Sequence, residues 1–428
     1  MSIQIKNIRV VDPSNKTDKV GDIFIENGEI VSKLSGTPDK VIDGKNKTAV
    51  PGLIDIHSHL REPGQEEKET IATGTRSACK GGITTVFCMP NTKPVTDNAP
   101  SVEYILMKSQ KEGKVNVFPI GCITKNSQGQ ELAEIGILKK AGIVAVSDDG
   151  VPVSNSQIMR RALEYTKMFS IPVIAHCEDK ELSKNGVMNA GKNSMILGLR
   201  GIPNQSEDVM VARDIMLAEL TSGRLHIAHV STAGSVELVR QAKKKGLNVT
   251  CETCPHYFTL TDDAVKTYDT NYKMNPPLRR QKDVDAVKEG LADGTIDCIA
   301  TDHAPHTFED KNKEFDLAPF GIIGFETLLS LVLNELVDKK VLSFQDAIAK
   351  MTVNPAKIFS LEKRGSLAVG SIADITIIDT EYSYEYKKEN ILSKSKNSPF
   401  IGRKFKGGAV MTIVGGKIAW SQKDGIIN

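Results

Sequence analysis

Eight short apolar runs, each followed by a segment of helical pattern, constrain this chain more than any other feature. They read GLIDIHSH, ITTVFCMPN, VNVFPIGCIT, GIVAVSDDG, IPVIAHCE, LHIAHVST, NVTCETCPH and TIDCIATDH, all within residues 51–362. Strand-sized runs alternating with helices indicate repeated βα units and a parallel sheet. Stretches such as 99–113, behind Asp97 and Asn98, and 235–245 fit helices between them. Eight such units are what a closed (β/α)8 barrel requires. The competing fold is a doubly wound open sheet, but no GxGxxG follows the first run.

The two ends have a different texture. IQIKNIRVVDPSN and GDIFIENGEIVSKL near the start, and GSLAVGSIADITIIDT and GAVMTIVGGKIAWSQ near the finish, alternate apolar and polar residues as short strands do. ENGE between two runs predicts a hairpin. The expected architecture is therefore α/β: a TIM-like barrel over 51–362 and a small β-sandwich domain built from 1–50 and 363–428. A chain of 428 residues is long enough for both. A net charge of +2 gives no reason to expect a nucleic-acid partner or a membrane surface. No run is long enough to span a bilayer, and the start lacks the apolar core of a signal peptide, so a cytoplasmic location is expected. Seven cysteines, scattered except for Cys251 and Cys254, do not form a disulfide framework and are read as reduced. The CETC pair reads as two thiols on a buried strand.

Polar residues gather where the runs end. His57, His59, His176 and His229, with Asp149 and Asp302, close five of the eight. Each has an ordinary explanation alone: a hydrogen-bonded core histidine, or an aspartate in a turn. In a (β/α)8 barrel, however, the C-terminal strand ends form the active face, so all six would converge. A buried cluster of that kind is costly without an ion to bind. Six donors exceed one tetrahedral site but suit two ions sharing a carboxylate, able to acidify a water and polarise a carbonyl. Imidazole with carboxylate favours zinc, while manganese, cobalt and nickel stay open. Amide hydrolysis is the chemistry such a centre performs.

The motifs DIHSHLREPG, CMPNTKPVTDN, SDDG, AHCED, AHVST, CETCPH, MNPPLR, TDHAPH and APFGIIGFET occur in that order. With them the chain resembles the dihydroorotases, in their longer bacterial form within the amidohydrolase superfamily, over essentially its whole length. The resemblance implies reversible closure of N-carbamoyl-L-aspartate to L-dihydroorotate plus water, in pyrimidine biosynthesis. It implies two zinc ions per subunit, one on His57 and His59 and the other on His176 and His229, bridged by Asp149. That aspartate stands where many relatives carry a carboxylated lysine; Lys139 and Lys140 lie upstream of the fourth run. Asp302 would complete the first site and act as general acid and base. For the substrate it implies His59, Arg61 and Asn91, with Asn275, His306 and the backbone around Phe320 and Gly321 at the ring.

The guanidinium of Arg61 is a planar fork suited to the carboxylate of dihydroorotate. Asp55 shares strand parity with His57 and is expected to orient an imidazole; His303 is expected to point elsewhere. Residues 307–321 are expected to form a partly mobile loop that shields the site. The family resemblance also brings a small-molecule substrate, a homodimer and, for some members, association with aspartate transcarbamoylase. The rival activities are those of hydantoinase, dihydropyrimidinase and allantoinase. A non-catalytic partner protein is a further alternative, as is a structural zinc protein.

Overall fold

Residues 2–427 are described by a computed structural model. The chain begins with antiparallel strands Ser2–Asp12 and Thr17–Glu26, in register from Ser2 opposite Glu26 to Asp12 opposite Thr17. Strands Lys40–Asp43 and Thr48–Pro51 then run parallel to the first. After the central region the chain returns as Ile375–Glu385, antiparallel to Thr48–Pro51, and continues through Lys404–Val414 and Lys417–Ser421. The expected sandwich thus takes the form of one nine-stranded sheet made from both termini. It curls over its own core, since Ile3, Ile5 and Ile25 pack in one cluster with Ile375, Ile413 and Ile418. Gly416 shows how tight the closure is: at φ +76°, its Cβ would lie 2.8 Å from the Cα of Gly28 in a turn from the other end of the sheet.

The eight apolar runs form a ring. Leu53–Ser58, Ile83–Cys88 and Asn116–Pro119 pair in parallel. Val146–Ser147, Val173–Ala175, Leu225–Ile227, Val249–Thr253 and Cys298–Ile299 do the same. Parallel bridges join the two sets, Gly121 to Val146 on one side and Ser58 to His303 on the other, where His59 N–H also donates to His303 O at 2.9 Å. The barrel therefore closes. Side chains from around the ring, among them Ile54, Ile56, Phe87, Ile120, Ile174 and Ala300, form one buried cluster that fills it.

Helices cover the outside. Ala99–Glu112 starts where the Asn98 side chain accepts from Ser101 N–H, and Ala233–Lys244 where Thr232 accepts from Ser235 N–H. Each satisfies a backbone donor that the first helical turn leaves open. Val236 and Val239 of the second helix are fully buried against the strands. Among the described residues, no helix is long and apolar enough to cross a membrane. All seven cysteines are free and buried, Cys251 and Cys254 included.

Candidate active site

The barrel brings the six strand-end donors to one point. Asp149 is the member that meets both histidine pairs. Its Oδ1 lies 3.4, 3.7 and 3.8 Å from His57 Nε2, His176 Nδ1 and His229 Nε2, and its Oδ2 lies 3.6 Å from His59 Nε2. Asp302 Oδ1 is 3.0 Å from His59 Nε2 and 3.5 Å from His57 Nε2. His176 Nδ1 and His229 Nε2 are 2.7 Å apart. Two of these positions carry strained backbone: Asp302 at φ +49° and His229 at φ +36°. Non-glycine residues in that region persist only when their surroundings over-determine them, and they concentrate at working sites.

Neighbouring polar groups decide how each ring presents itself. His59 is held between two oxygens, its Nδ1 2.9 Å from Asn91 Oδ1 and its Nε2 3.0 Å from Asp302 Oδ1, so Nε2 is the nitrogen that faces the centre. His57 Nδ1 is 2.5 Å from Glu252 Oε1, and its Nε2 likewise faces the centre. His176 is turned the other way, its Nε2 3.0 Å from Glu178 Oε2 and its Nδ1 facing inward. The two acids of SDDG divide their work. Asp148 points away and accepts from the N–H groups of Ile123 and Thr124 at 2.8 and 3.1 Å, leaving Asp149 to the centre.

Electrostatics follow from this crowding. Burial opposes charge on His57, yet Asp149 and Glu252 hold its pKa well above the ordinary imidazole value. Burial likewise opposes charge on Asp149 and Asp302, but the surrounding histidines hold both carboxyls well below the usual range. His229 is pushed down to about 3 by burial and then by His176 and His57. Two buried atoms at the centre, His57 Nε2 and Asp149 Oδ1, have no hydrogen-bond partner among the described residues. Two donor groups, His57 with Asp149 and His229, and His57 with His59 and Asp302, each converge closely enough to hold a metal ion. Imidazole and carboxylate are the donors that divalent transition metals take, so the residues present fit such ions.

A cavity of about 880 Å³ opens over the cluster; all the residues proposed for metal and substrate except His57 line it. Arg61 is buried, its Nε donating to Pro305 O at 3.2 Å and its Nη2 3.5 Å from His306 Nε2. Burial draws its pKa down to about 10, against Asp302 and Asp149, so it remains a cation near neutrality. Asn275 Nδ2 donates to Glu178 Oε2 at 3.0 Å, and His306 Nε2 lies 2.8 Å from Phe320 O. Gly321 has both backbone groups engaged, its N–H by Lys273 O and its carbonyl by Lys311 Nζ and Asn397 Nδ2.

Asp55 departs from expectation. Its carboxylate accepts from the backbone N–H of Thr301 and of His57, at 3.0 and 3.2 Å, and reaches no imidazole. It anchors the strand, whereas Glu252 holds the ring. Glu252 and Glu178 were not singled out from sequence; the signal for Glu252 was a lone acid inside the apolar run NVTCETC. His303 does point away, stacking on Phe325 at 3.8 Å with its Nε2 3.4 Å from Glu69. The 307–321 stretch is tied down by two buried ammonium groups. Lys273 Nζ donates to the carbonyls of Phe315 and Asp316, and Lys311 Nζ to those of Pro319 and Gly321.

A parallel barrel with such a donor cluster at its C-terminal mouth and a sheet made from both termini is the architecture of the amidohydrolase superfamily. Solved structures agree: an L-hydantoinase from Arthrobacter aurescens superposes with a TM-score of 0.89 at 26% identity, covering 100% of this chain and 97% of its own. A dihydropyrimidinase from Brevibacillus agri gives 0.85 at 24%, covering 99% and 96%. The family model described as "Dihydro-orotase-like" matches residues 46–235. A dihydroorotase from Endomicrobium trichonymphae is 77% identical over 98% of this chain and 100% of its own length, and one from Geobacter metallireducens is 54% identical over 99% and 100%. The chain belongs to the dihydroorotase family.

Proposed function

We propose that the chain interconverts N-carbamoyl-L-aspartate and L-dihydroorotate, with two zinc ions at the strand-end cluster. The observation that carries this substrate choice, within the family, is a buried guanidinium sharing one cavity with the metal-type donors. Hydantoinase-type substrates have no matching ring carboxylate and leave Arg61 without a task.

Arg61 takes the substrate carboxylate through its free edge, helped by Asn91. The Asn91 oxygen is already engaged by His59, which leaves its amide N–H₂ to donate. Asn275 similarly has its N–H₂ committed to Glu178, so its oxygen is free to accept from a ring N–H. His57, His59 and Asp302 would hold one cation, His176 and His229 the other, with Asp149 between them. Bound there, the cations supply Lewis acidity, acidifying a water and polarising the ring amide. Asp302 moves the proton: it receives one from the attacking water as the C–O bond forms and delivers it to the ring nitrogen as the C–N bond breaks. In the closing direction the same carboxylate takes the proton from the ureido nitrogen. Seven reduced, buried thiols accord with a cytoplasmic location.

Purified chain assayed by dihydroorotate absorbance in both directions, with elemental analysis of the same sample, tests this reading. Turnover with close to two zinc ions per chain is expected. A metal-loaded protein that ignores dihydroorotate but opens hydantoin or dihydrouracil refutes it.

A further inference from the structure

The barrel interior holds a polar chain that the reaction as described does not use. Glu252, on strand Val249–Thr253, is 1% exposed. Its Oε1 lies 2.5 Å from His57 Nδ1, and its Oε2 lies 3.2 Å from His226 Nε2. The other nitrogen of His226, Nδ1, is 2.8 Å from Thr250 Oγ1, and the His226 ring meets Phe359 edge-on at 5.4 Å. His226 is fully buried. The links therefore run from Thr250 and His226 through Glu252 to His57, whose far nitrogen faces Asp149 and Asp302.

We infer that Glu252, clamped between His226 and His57, is a positioning residue that fixes which nitrogen His57 offers to a cation. This inference rests on the reading of His57 as a metal ligand. An ionised carboxylate only accepts hydrogen bonds, so each histidine nitrogen facing it must carry a hydrogen. His57 is thereby held with Nδ1–H toward Glu252, which leaves Nε2 as the nitrogen it can offer to a cation in the site. There Nε2 faces Asp149 Oδ1 at 3.4 Å and Asp302 Oδ1 at 3.5 Å. The same logic gives His226 an Nε2–H, leaving its Nδ1 to accept from the Thr250 hydroxyl. His226 never reaches the site; its part is to occupy the second carboxylate oxygen, so that Glu252 cannot swing away from His57.

A simple packing role does not account for these contacts. A carboxylate inside a barrel core is costly unless its lone pairs are answered, and an apolar side chain of the same volume would fill the space at no such cost. Asp55 is not a substitute, because its Oδ1 accepts from the His57 and Thr301 backbone N–H groups and its Oδ2 from the Thr301 hydroxyl. Asp55 sets where the His57 backbone sits, and Glu252 sets how its ring is turned. Hydrogen-bonded carboxylates behind metal-binding histidines act in this way elsewhere, and their loss lowers metal affinity by roughly 10- to 100-fold.

The test compares the full-length chain with its Glu252→Gln and His226→Gln variants, each stripped by a chelator and titrated with Zn²⁺ against a chromophoric chelator. The glutamine of E252Q keeps the shape but removes the charge, so its zinc affinity should fall about 10- to 100-fold, and the visible bands of the Co²⁺-loaded protein should shift. An affinity within about twofold of the unsubstituted chain, with unchanged Co²⁺ bands, overturns the inference even if the melting temperature drops. If E252Q is not recovered folded, H226Q decides: a loss of zinc affinity supports the clamp, and an unchanged affinity overturns it. An unsubstituted chain that binds no zinc removes the metal reading itself, which is a separate failure.

Discussion

Replacing Arg61 by alanine separates substrate recognition from metal chemistry. Only 8% of this residue is exposed, and it spends Nε on Pro305 O; His306 Nε2, committed to the Phe320 carbonyl, does not take Nη2, so the Nη edge of the fork is left for a ligand in the cavity. A carboxylate received there is almost fully desolvated, and truncating one partner of such a pair costs about 2–5 kcal/mol. Because the guanidinium is so deeply set, the upper part of that range applies. About 3–5 kcal/mol corresponds to a fall in kcat/KM of roughly 150- to 5,000-fold. The loss should appear largely in KM, with zinc content unchanged by elemental analysis. Dihydrouracil, the same ring without its carboxylate, provides the control: its binding to the variant, measured as inhibition, should change by less than about threefold, since only ordinary packing is lost. Equal losses for both ligands, or an unchanged KM for dihydroorotate, would refute the role given to Arg61.

Three further outcomes are expected. Asp302→Asn should lower kcat about 100- to 10,000-fold, the usual share of a general acid–base, while far-ultraviolet circular dichroism stays unchanged; an active variant removes Asp302 from proton transfer. Extraction of metal should lower the melting temperature, and adding Zn²⁺ at about 100 times its dissociation constant should restore roughly 2.7 kcal/mol; indifference of stability to zinc contradicts a bound native ion. Stability should also climb with pH through Lys311. In the folded chain, burial and then Lys273 bring its pKa from 10.5 down to about 7. Between those values the unfolded state binds more protons than the folded one, so raising the pH favours folding. Urea midpoints at pH 7 and pH 9.5 should differ less in a Lys311→Met variant than in the unsubstituted chain, and equal differences would contradict the depressed ammonium.

The donor cluster was legible in sequence because two regularities coincide: apolar runs mark strands, and a parallel barrel carries all their C-terminal ends to one face. His57, His59, Asp149, His176, His229 and Asp302 needed nothing more to be placed together. Glu252 needed more. Its partners, His57 and His226, lie on two other strands of the ring, and the pairing depends on how the barrel's register sets their heights. No local spacing encodes that, although a lone acid amid apolar residues was a sign. Asp55 was misread for a related reason: strand parity was assumed constant, whereas the first barrel strand shifts register between Asp55 and Ser58. Alternation in the terminal segments announced strands but not their neighbours, which are fixed by contacts across the whole chain.

The seam between the two termini bears on how the molecule is made. Thr48–Pro51 waits for Ile375–Ile378, so during synthesis its hydrogen-bonding edge stays open until the whole barrel has emerged. At about 5–20 residues per second that interval lasts tens of seconds, long enough for an unpaired edge to recruit a neighbouring nascent chain. Shortened products that stop before residue 375 should therefore precipitate even with an intact barrel, because the N-terminal strands lack the ribbon that closes them.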